Sequence, residues 1–265
     1  MRLSQGSVEA RQISTIGNLE WQNSESAQLA YAIITMKNQY FGDVNDYLKY
    51  GLLRCFAEAG LRIGVCWMLT PDDGRPDGRK ISYLSDPKRW RDFDPPLFDS
   101  LAGAIGKNRR HIRHFQNSDL LPNASFSDAF IPDHQLSRKT WLTRSLRKLG
   151  GVDMLFFDPD NGIEVQSTPG GKRGSCKYLY WDEVQVAWAQ GASLIIFQHF
   201  SREKRDMHVS RLTSGLAKCA PGAKIVPLLT SNVVYFLAVQ RRHAEEVNGS
   251  LLTIDKRWSG KVRRA

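Results

Sequence analysis

The sequence lacks any apolar run near the roughly 20 residues of a membrane span, and its first 35 residues lack a basic segment followed by a hydrophobic core. We therefore expect no membrane segment and no secretory signal. The four cysteines are scattered and form no C-x-x-C pair, which argues against a zinc ribbon and against a disulfide framework. Together these absences predict a cytoplasmic protein.

Acidic residues are the minority among the charges. The 265-residue chain has 37 Lys and Arg against 27 Asp and Glu, a formal net charge of +10. Clustered Lys and Arg release counterions when they neutralise phosphates, so the excess favours a nucleic acid, RNA or DNA, as partner. A basic surface without such a partner is the alternative that composition leaves open.

The most informative stretch is residues 152–165, V-D-M-L-F-F-D-P-D-N-G-I-E-V. Met154 to Phe157 are apolar without polar alternation, which predicts a strand covered by helices on both faces. Two carboxylates, an amide and a glycine follow from Asp158 to Gly162. That position, at the carboxyl end of a strand, is where open α/β sheets bind ligands.

A second apolar run, Ser193 to Phe197, ends in Gln198-His199. Because one helix separates the two runs, a right-handed crossover predicts neighbouring parallel strands. Asp158 and His199 are then expected at the same edge of one sheet.

The order of elements predicts an α/β fold: a Rossmann-like, doubly wound, mostly parallel sheet with a C-terminal antiparallel strand pair. We expect a single domain over residues 36–245, with an irregular insertion at about 80–135. A flexible extension, 1–35, and a basic tail, 246–265, are expected to flank it. The predicted elements are a helix capped by Asn45 or Asp46, a strand over 63–69, helices over 138–149 and 202–219, and strands over 224–229 and 233–239.

The strongest basic run is Lys107 to Phe115, in which apolar residues alternate with cations. Part of it is predicted as a strand with cations on one face. The residues expected to contact nucleic acid are Arg109, Arg110, Arg113, Lys177, Tyr178 and Arg202.

Two motifs and the element order resemble class I S-adenosylmethionine-dependent methyltransferases. The tetrad Asp158-Pro159-Asp160-Asn161 matches the Asp/Asn-Pro-Pro-Tyr motif that ends their fourth strand. The segment from Gly42 to Tyr50 is similar to the start of the RlmJ-type ribosomal-RNA adenine-N6 methyltransferases and, more loosely, of the three-Cys-motif partner proteins. The resemblance covers roughly residues 38–240 in element order, but only these two motifs in residue identity.

The resemblance implies S-adenosylmethionine as cofactor and the amino group of a nucleic-acid base as methyl acceptor. It implies catalytic roles for Asp158, Pro159, Asp160, Asn161 and His199, and cofactor contacts from Asp72, Asp73, Gly74, Tyr47 and Lys49. The chain departs from the family after its first strand, where Trp67 to Gly74 replace an acidic residue and a glycine-rich loop, so the cofactor loop is degenerate. Asp160-Asn161 also replace Pro-Tyr, so base stacking is expected from Tyr178, Tyr180 or Trp181.

Two other functions fit the same residues. Asp158, Asp160, Glu164 and Asp182 are hard oxygen ligands for Mg²⁺ or Mn²⁺, as a nuclease or phosphodiesterase requires. A catalytically inactive nucleic-acid-binding module on the same fold is the third interpretation.

Overall fold

The structure, a computed structural model, describes residues 40–71, 78 and 80–265. Two β-sheets occur within these residues, one of seven strands and one of two. The strands are β1 (Ile63–Cys66), β2 (Ser125–Ser127), β3 (Met154–Phe157), β4 (Gly162–Ile163), β5 (Tyr178–Leu179), β6 (Ser193–His199), β7 (Lys224–Leu229), β8 (Val233–Val239) and β9 (Arg263–Arg264).

The large sheet has the order β2-β1-β3-β6-β8-β7-β9. Strands β2, β1, β3 and β6 are parallel, whereas β8 runs antiparallel between β6 and β7. The fold is therefore α/β and Rossmann-like, with a mostly parallel core and antiparallel C-terminal strands, as predicted. The pairing of Met154 with Ser193 and of Phe157 with Ile196 confirms that β3 and β6 are parallel neighbours.

Eight α-helices lie within the described residues. They are α1 (Val44–Glu58), α2 (Pro87–Trp90), α3 (Pro95–Gly106), α4 (Arg113–Gln116), α5 (Gln135–Lys148), α6 (Trp181–Ala189), α7 (Arg205–Cys219) and α8 (Ala244–Arg257).

Both faces of the large sheet are covered. In β3, Met154 and Phe156 belong to one apolar cluster with residues of α1, α3 and α8, while Leu155 and Phe157 belong to a second with residues of α5, α6 and α7. Period-two alternation sends successive side chains to opposite faces, so a strand buried on both has no polar position. This explains the unbroken apolar run in the sequence.

The C-terminal segment does not form a separate tail. Residues 246–257 continue α8, Trp258 is fully buried, and β9 pairs with β7 at the sheet edge. Trp258 lies so close to α1 that a Cβ on Gly51 would stand 2.0 Å from its ring. Val247, Leu251 and Ile254 recur at helical spacing and are all buried, so one face of α8 packs against the core.

The first strand ends earlier than predicted. It stops at Cys66, and Met68 has a positive φ of 48°, a left-handed conformation that an extended strand cannot contain. The chain is thereby redirected at the carboxyl end of β1. The helix before β1 is capped by Asp43, whose side chain accepts hydrogen bonds from the backbone N–H groups of Asn45 and Asp46, rather than by either of those residues.

The insertion at about 80–135 contains regular structure that the sequence did not predict. Residues 107–112 form no helix or strand and α4 begins at Arg113, so the basic run is not a strand. Near the end of this insertion, which we expected to be irregular, Ser125 to Ser127 form β2 and extend the parallel sheet beside β1. A Ser-Phe-Ser strand is too short for periodicity to reveal.

The two later helices start differently from expectation. Helix α5 begins at Gln135, before its predicted start at residue 138, and α7 begins at Arg205, beyond its predicted start at residue 202. The expected N-terminal extension and the cofactor-loop residues Asp72, Asp73 and Gly74 lie outside the described residues. None of the helices that the structure describes is long and apolar enough to cross a membrane.

Candidate functional site

A cavity of about 390 Å³ opens at the carboxyl ends of β1, β3 and β6. Its walls come from the residues that follow β1 and β3, from the end of β6, and from the segment that leads into α1. The lining residues are Tyr40, Phe41, Asp43, Asn45, Asp46, Lys49, Tyr50, Trp67, Met68, Leu69, Thr70, Gly78, Lys80, Ile112, Asp158, Asp160, Asn161, Lys177, Phe197 and His199.

The centre of this pocket is an ion pair between Lys49 of α1 and Asp158 after β3. Lys49 Nζ lies 2.7 Å from Asp158 Oδ2 and 2.9 Å from Asp46 Oδ1. The lysine side chain is 8% exposed, and its ammonium lies 5.1 Å from the centre of the Phe197 ring. A nearly buried ammonium is thus held between two carboxylates and above an aromatic face.

The first turn of α1 holds Asp46 in place. Its Oδ2 accepts hydrogen bonds from Gly42 N at 3.1 Å and from the Tyr50 hydroxyl at 3.0 Å. Asp43 caps the helix and accepts from Asp46 N at 3.0 Å. Because residues three and four apart share a helix face, Asp46, Lys49 and Tyr50 meet on the side facing the pocket.

Burial and neighbouring charge act in opposite directions on the pKa of each group in this ion pair, and both pKa values are raised. Desolvation raises the pKa of Asp158 to about 6, although the charge of Lys49 acts to lower it. Burial acts to lower the pKa of Lys49, but the carboxylates of Asp158 and Asp46 outweigh it and raise this pKa above its ordinary value. At pH 7 both partners are therefore mainly ionised, with Asp158 close enough to neutrality to exchange a proton.

The turn after β3 is fixed by neighbouring strand ends. The Thr70 hydroxyl, beyond β1, donates to Asp160 Oδ2 at 2.8 Å. Asn161 N donates to the Lys177 carbonyl at 2.9 Å, and Gln198 of β6 accepts from Ile163 N at 2.7 Å. The tetrad therefore has a defined position against both β1 and β6.

Gly162 permits this arrangement. It has a positive φ of 110°, and a Cβ there would stand 2.3 Å from Gln198 Oε1. The glycine that follows the tetrad is thus required both by backbone conformation and by the close approach of Gln198.

Aromatic rings line much of the pocket. They belong to Tyr40, Phe41, Tyr50, Trp67 and Phe197. Two buried polar atoms of the lining residues, Trp67 Nε1 and Asn45 Oδ1, have no hydrogen-bond partner among the described residues. A buried donor and a buried acceptor without partners are costly, which indicates that a ligand or water completes them.

His199, the last residue of β6, also lines the pocket. Its ring packs edge-on against Phe197, with centroids 4.9 Å apart. Desolvation by the surrounding walls, and then the charge of Lys49, lower the pKa of His199 below its ordinary value. The imidazole is therefore neutral at pH 7 and able both to donate and to accept a hydrogen bond.

Several predicted site residues meet in this pocket. Asp158, Asp160, Asn161 and His199 line it with Lys49 and Lys177, whereas Pro159 is buried behind them. Asp158 and His199 do lie at the same sheet edge, as expected from the two apolar runs.

Other predicted residues lie elsewhere. Tyr47 is fully buried in the core, where its hydroxyl donates to the Trp90 carbonyl at 2.9 Å, so it does not line the pocket. The stacking candidates Tyr178, Tyr180 and Trp181 are also not among the lining residues. Tyr180 is buried and donates to the Thr168 carbonyl at 2.8 Å. A planar ligand in the pocket would instead meet the aromatic side chains that line it, Tyr40, Phe41, Tyr50, Trp67 and Phe197.

The basic residues differ in how they are engaged. Arg110 donates to the Phe41 carbonyl at 3.0 Å and to the Gly78 carbonyl at 2.6 Å, so it fastens two segments of the pocket wall. Arg109 and Arg202 are exposed, and Arg113 is half-buried. Of the six predicted nucleic-acid contacts, only Lys177 lines the pocket directly.

The four residues of the alternative metal site do not converge. Glu164 Oε1 accepts from Trp181 N at 2.8 Å, and Asp182 is exposed at the start of α6. Among the described residues, no group of three or more His, Cys, Asp or Glu side chains is arranged to hold a metal ion.

Sequence reasoning missed Asp43, Asp46, Tyr50 and Thr70. The signal for Asp46 was its spacing of three residues from Lys49 on a predicted helix, which places both on one face. Nothing in the sequence linked Thr70 to Asp160, because their contact depends on the neighbouring positions of β1 and β3.

Comparison with protein-family models, with curated proteins and with solved structures finds no match. The class that the fold and the site define is a Rossmann-like α/β protein with an acidic, aromatic-walled pocket at the carboxyl edge of its sheet.

Proposed function

We propose that the protein is an S-adenosylmethionine-dependent methyltransferase that modifies an amino group of a nucleic-acid base. The observation that carries the proposal is Asp158: its carboxylate stands in the pocket wall at the end of β3, held by Lys49 at 2.7 Å. The resemblance of the tetrad to the methyltransferase motif assigns this position to the group that accepts a hydrogen bond from the target amine.

The ion pair leaves part of Asp158 for a substrate. Lys49 engages Oδ2, and Oδ1 has no hydrogen-bond partner among the described residues. An amino group that donates to Oδ1 keeps its lone pair directed away from the carboxylate and becomes a better nucleophile. The ammonium of Lys49 holds the carboxylate in one orientation, so this geometry exists before the substrate binds.

Asp158 also suits removal of the proton. Methyl transfer would form an N–C bond as the S–C bond breaks and its electron pair returns to sulfur, giving a neutral thioether, and it would leave the nitrogen with a positive charge and one proton too many. A carboxylate with its pKa raised to about 6 accepts that proton more readily than an ordinary aspartate does. Lys49 stays protonated throughout, because the neighbouring carboxylates raise its pKa above the ordinary value.

The pocket suits the cofactor in charge and in shape. When bound, S-adenosylmethionine supplies an electrophilic methyl group on a positively charged sulfur. Four aspartates, Asp43, Asp46, Asp158 and Asp160, line the pocket against three lysines, Lys49, Lys80 and Lys177, and this small acidic excess together with the aromatic walls favours a cationic ligand. The volume of about 390 Å³ falls in the range of small-molecule sites.

The test is methyl transfer from isotopically labelled S-adenosylmethionine to total RNA and DNA, in parallel with Mg²⁺- or Mn²⁺-dependent cleavage of the same substrates. We expect label in a nucleobase with wild type and a large loss with Asp158→Ala. The matched control is Asp182→Ala, which removes an exposed carboxylate that is outside the pocket.

Metal-dependent cleavage abolished by Asp158→Ala would replace this proposal with the nuclease interpretation. If the wild-type protein showed neither methyl transfer nor cleavage but bound nucleic acid, the inactive binding module would be the favoured interpretation. A thermal shift with S-adenosylmethionine gives an independent readout, since a ligand at a hundred times its dissociation constant stabilises by about 2.7 kcal/mol.

A further inference from the structure

A second cavity, of about 230 Å³, lies at the C-terminal end of α3. Its polar lining comes from Ser100, Lys107, Arg109 and His114, and also from Asp99. The His114 ring packs edge-on against Phe41, with centroids 6.0 Å apart, and Phe41 lines the first pocket. One aromatic side chain therefore connects the walls of the two cavities.

The end of α3 places the two cations. Asn108 has a positive φ of 53°, and the turn it makes lets Arg109 N donate to the Ala104 carbonyl at 2.8 Å. This left-handed helix ending folds Lys107 and Arg109 back beside the last turn. Both side chains are exposed, and neither pairs with an acidic side chain among the described residues.

A hydroxyl donor, held by an imidazole, lies next to these cations. The Ser100 hydroxyl and His114 Nε2 are 3.0 Å apart, so they share one hydrogen bond and leave the other capacity of the hydroxyl for a ligand. Phosphate oxygens accept from guanidinium, ammonium, hydroxyl and imidazole groups alike.

The opposing charges at this cavity are weaker than the cations. Asp99 is neutralised by Arg91, whose Nε and Nη2 lie 2.8 and 2.6 Å from its two oxygens. The C-terminal end of a helix carries roughly half a negative charge. Part of that is satisfied here, because Lys107 N and Arg109 N donate to the last carbonyls. The two full positive charges of Lys107 and Arg109 are therefore larger than the partial negative charge that remains at the end of α3.

We infer that this second cavity binds a backbone phosphate of a nucleic-acid strand, with the neighbouring base directed toward the first pocket. The inference rests on the proposed function in one respect, because it assumes that the first pocket holds a base. It assigns Lys107 and Arg109 the phosphate charge, and assigns the remaining hydrogen bond to the Ser100 hydroxyl, which His114 Nε2–H orients by donating to its oxygen.

The test is binding of fluorescein-labelled single-stranded RNA and DNA oligonucleotides at a series of salt concentrations. The variant Lys107→Gln/Arg109→Gln should weaken binding roughly tenfold and flatten the slope of log affinity against log salt by about 0.7, the value for one lost phosphate contact on a single strand. Ser100→Ala should weaken binding less and leave the slope unchanged, because serine carries no charge.

The control is Arg241→Gln/Lys256→Gln, which removes the same two positive charges from exposed positions outside both cavities. Arg241 follows β8 at the edge where β8 meets the start of β6, opposite the pocket. Equal losses in the two double variants, or no binding of either oligonucleotide by the wild-type protein, would overturn the phosphate site.

Failure of the proposed function gives a different result. If the wild-type protein transfers no methyl group but the Lys107→Gln/Arg109→Gln variant still loses affinity and salt slope, the phosphate site stands and the methyltransferase proposal falls. If the wild-type protein transfers a methyl group but the Lys107→Gln/Arg109→Gln variant binds with unchanged affinity and salt slope, the methyltransferase proposal stands and the phosphate site falls.

Discussion

Lys49 Nζ and Asp158 Oδ2 lie 2.7 Å apart although 109 residues separate them in the chain. The contact joins α1 to the carboxyl end of β3, and it forms because helix and strand end meet at the same edge of the sheet. A buried ion pair is costly to break from one side, since the remaining charge is left without its partner.

Lys49→Met should lower the free energy of unfolding by about 3–5 kcal/mol, because Asp46 and Asp158 then face each other without a cation. The loss should grow from pH 5 to pH 8, since unpaired buried carboxyls prefer to be protonated. Urea unfolding at both pH values measures it. Lys256→Met, at an exposed position, is the control. A Lys49→Met/Asp158→Asn variant as unstable as Lys49→Met alone would contradict the assigned pairing.

Asp43 should make stability depend on pH in the opposite direction from an ordinary aspartate. Burial, and then the charge of Asp46, raise the pKa of Asp43 to about 6, above its value in the unfolded chain. Its contribution to stability is therefore present below pH 4 and lost as pH rises through 6. Asparagine can still accept the capping hydrogen bonds. Asp43→Asn should thus gain roughly 2 kcal/mol relative to wild type between pH 4 and pH 6.

Asp153 provides the contrasting case for that measurement. Hydrogen bonds from the Arg62 side chain lower the pKa of Asp153 to about 2. Its contribution is present above pH 4 and lost as pH falls toward 2, so Asp153→Asn should approach wild-type stability as the solution is acidified. If the stability of both variants relative to wild type changed in the same direction with pH, the direction predicted for Asp43 would be wrong.

The parts of the fold that the sequence predicts are those in which local pattern and burial agree. Met154 to Phe157 form the predicted strand without a shift at either end, because both sheet faces are covered and each position must be apolar. The hairpin of β7 and β8 is similarly confirmed. The C-terminal helix α8 carried the apolar spacing of Val247, Leu251 and Ile254, so its signal was present in the sequence.

The parts that were not predicted depend on contacts distant in sequence. Strand β2 has three residues and is a strand only because β1 lies beside it. Tyr47, assigned to the cofactor from its motif position, points into the core because Tyr83 stacks on it at 5.2 Å. The pairing of Lys49 with Asp158 required the sheet order, which no local pattern contains.

Arg110 should act on the pocket wall and not on phosphate binding. Its guanidinium bonds to the carbonyls of Phe41 and Gly78, both of which line the pocket. Arg110→Gln should lower the free energy of unfolding by about 1–3 kcal/mol through unsatisfied carbonyls, and weaken binding of S-adenosylmethionine. The salt slope of oligonucleotide binding should match that of wild type. A flattened slope with unchanged thermal stability would show that Arg110 contacts phosphate instead.

Gly162 and Gly174 allow backbone strain to be separated from steric clash. Both have positive φ, 110° and 84°, but a Cβ on Gly162 would stand 2.3 Å from Gln198 Oε1 whereas a Cβ on Gly174 meets nothing within 4 Å. Gly174→Ala should cost about 1–2 kcal/mol from conformation alone. Gly162→Ala should cost more and displace the tetrad. Equal losses in chemical denaturation would mean that Gln198 moves aside freely.

Asp160 distinguishes methyl transfer from metal-dependent cleavage. Its Oδ2 accepts from the Thr70 hydroxyl at 2.8 Å, and Thr70 is buried, so the carboxylate helps to anchor the turn after β3. Asn at this position still offers an oxygen to the hydroxyl. In a methyltransferase Asp160→Asn should therefore keep kcat/KM within about tenfold of wild type, a change of ~1.4 kcal/mol or less. Asp160→Leu should lose more, because the Thr70 hydroxyl is then buried without a partner.

A metal-dependent phosphodiesterase predicts another order for the same variants. There Asp160 would bind the ion directly, and Asp160→Asn would remove a charge that the ion requires. Thr70→Val is the matched control, since it removes the same hydrogen bond while leaving the carboxylate in place. Under methyl transfer, Asp160→Asn and Thr70→Val should both stay closer to wild type than Asp160→Leu, because neither leaves the Thr70 hydroxyl buried without a partner, as measured with labelled S-adenosylmethionine. Mg²⁺- or Mn²⁺-dependent cleavage that survives Thr70→Val but not Asp160→Asn would identify Asp160 as a metal ligand and the protein as a nuclease.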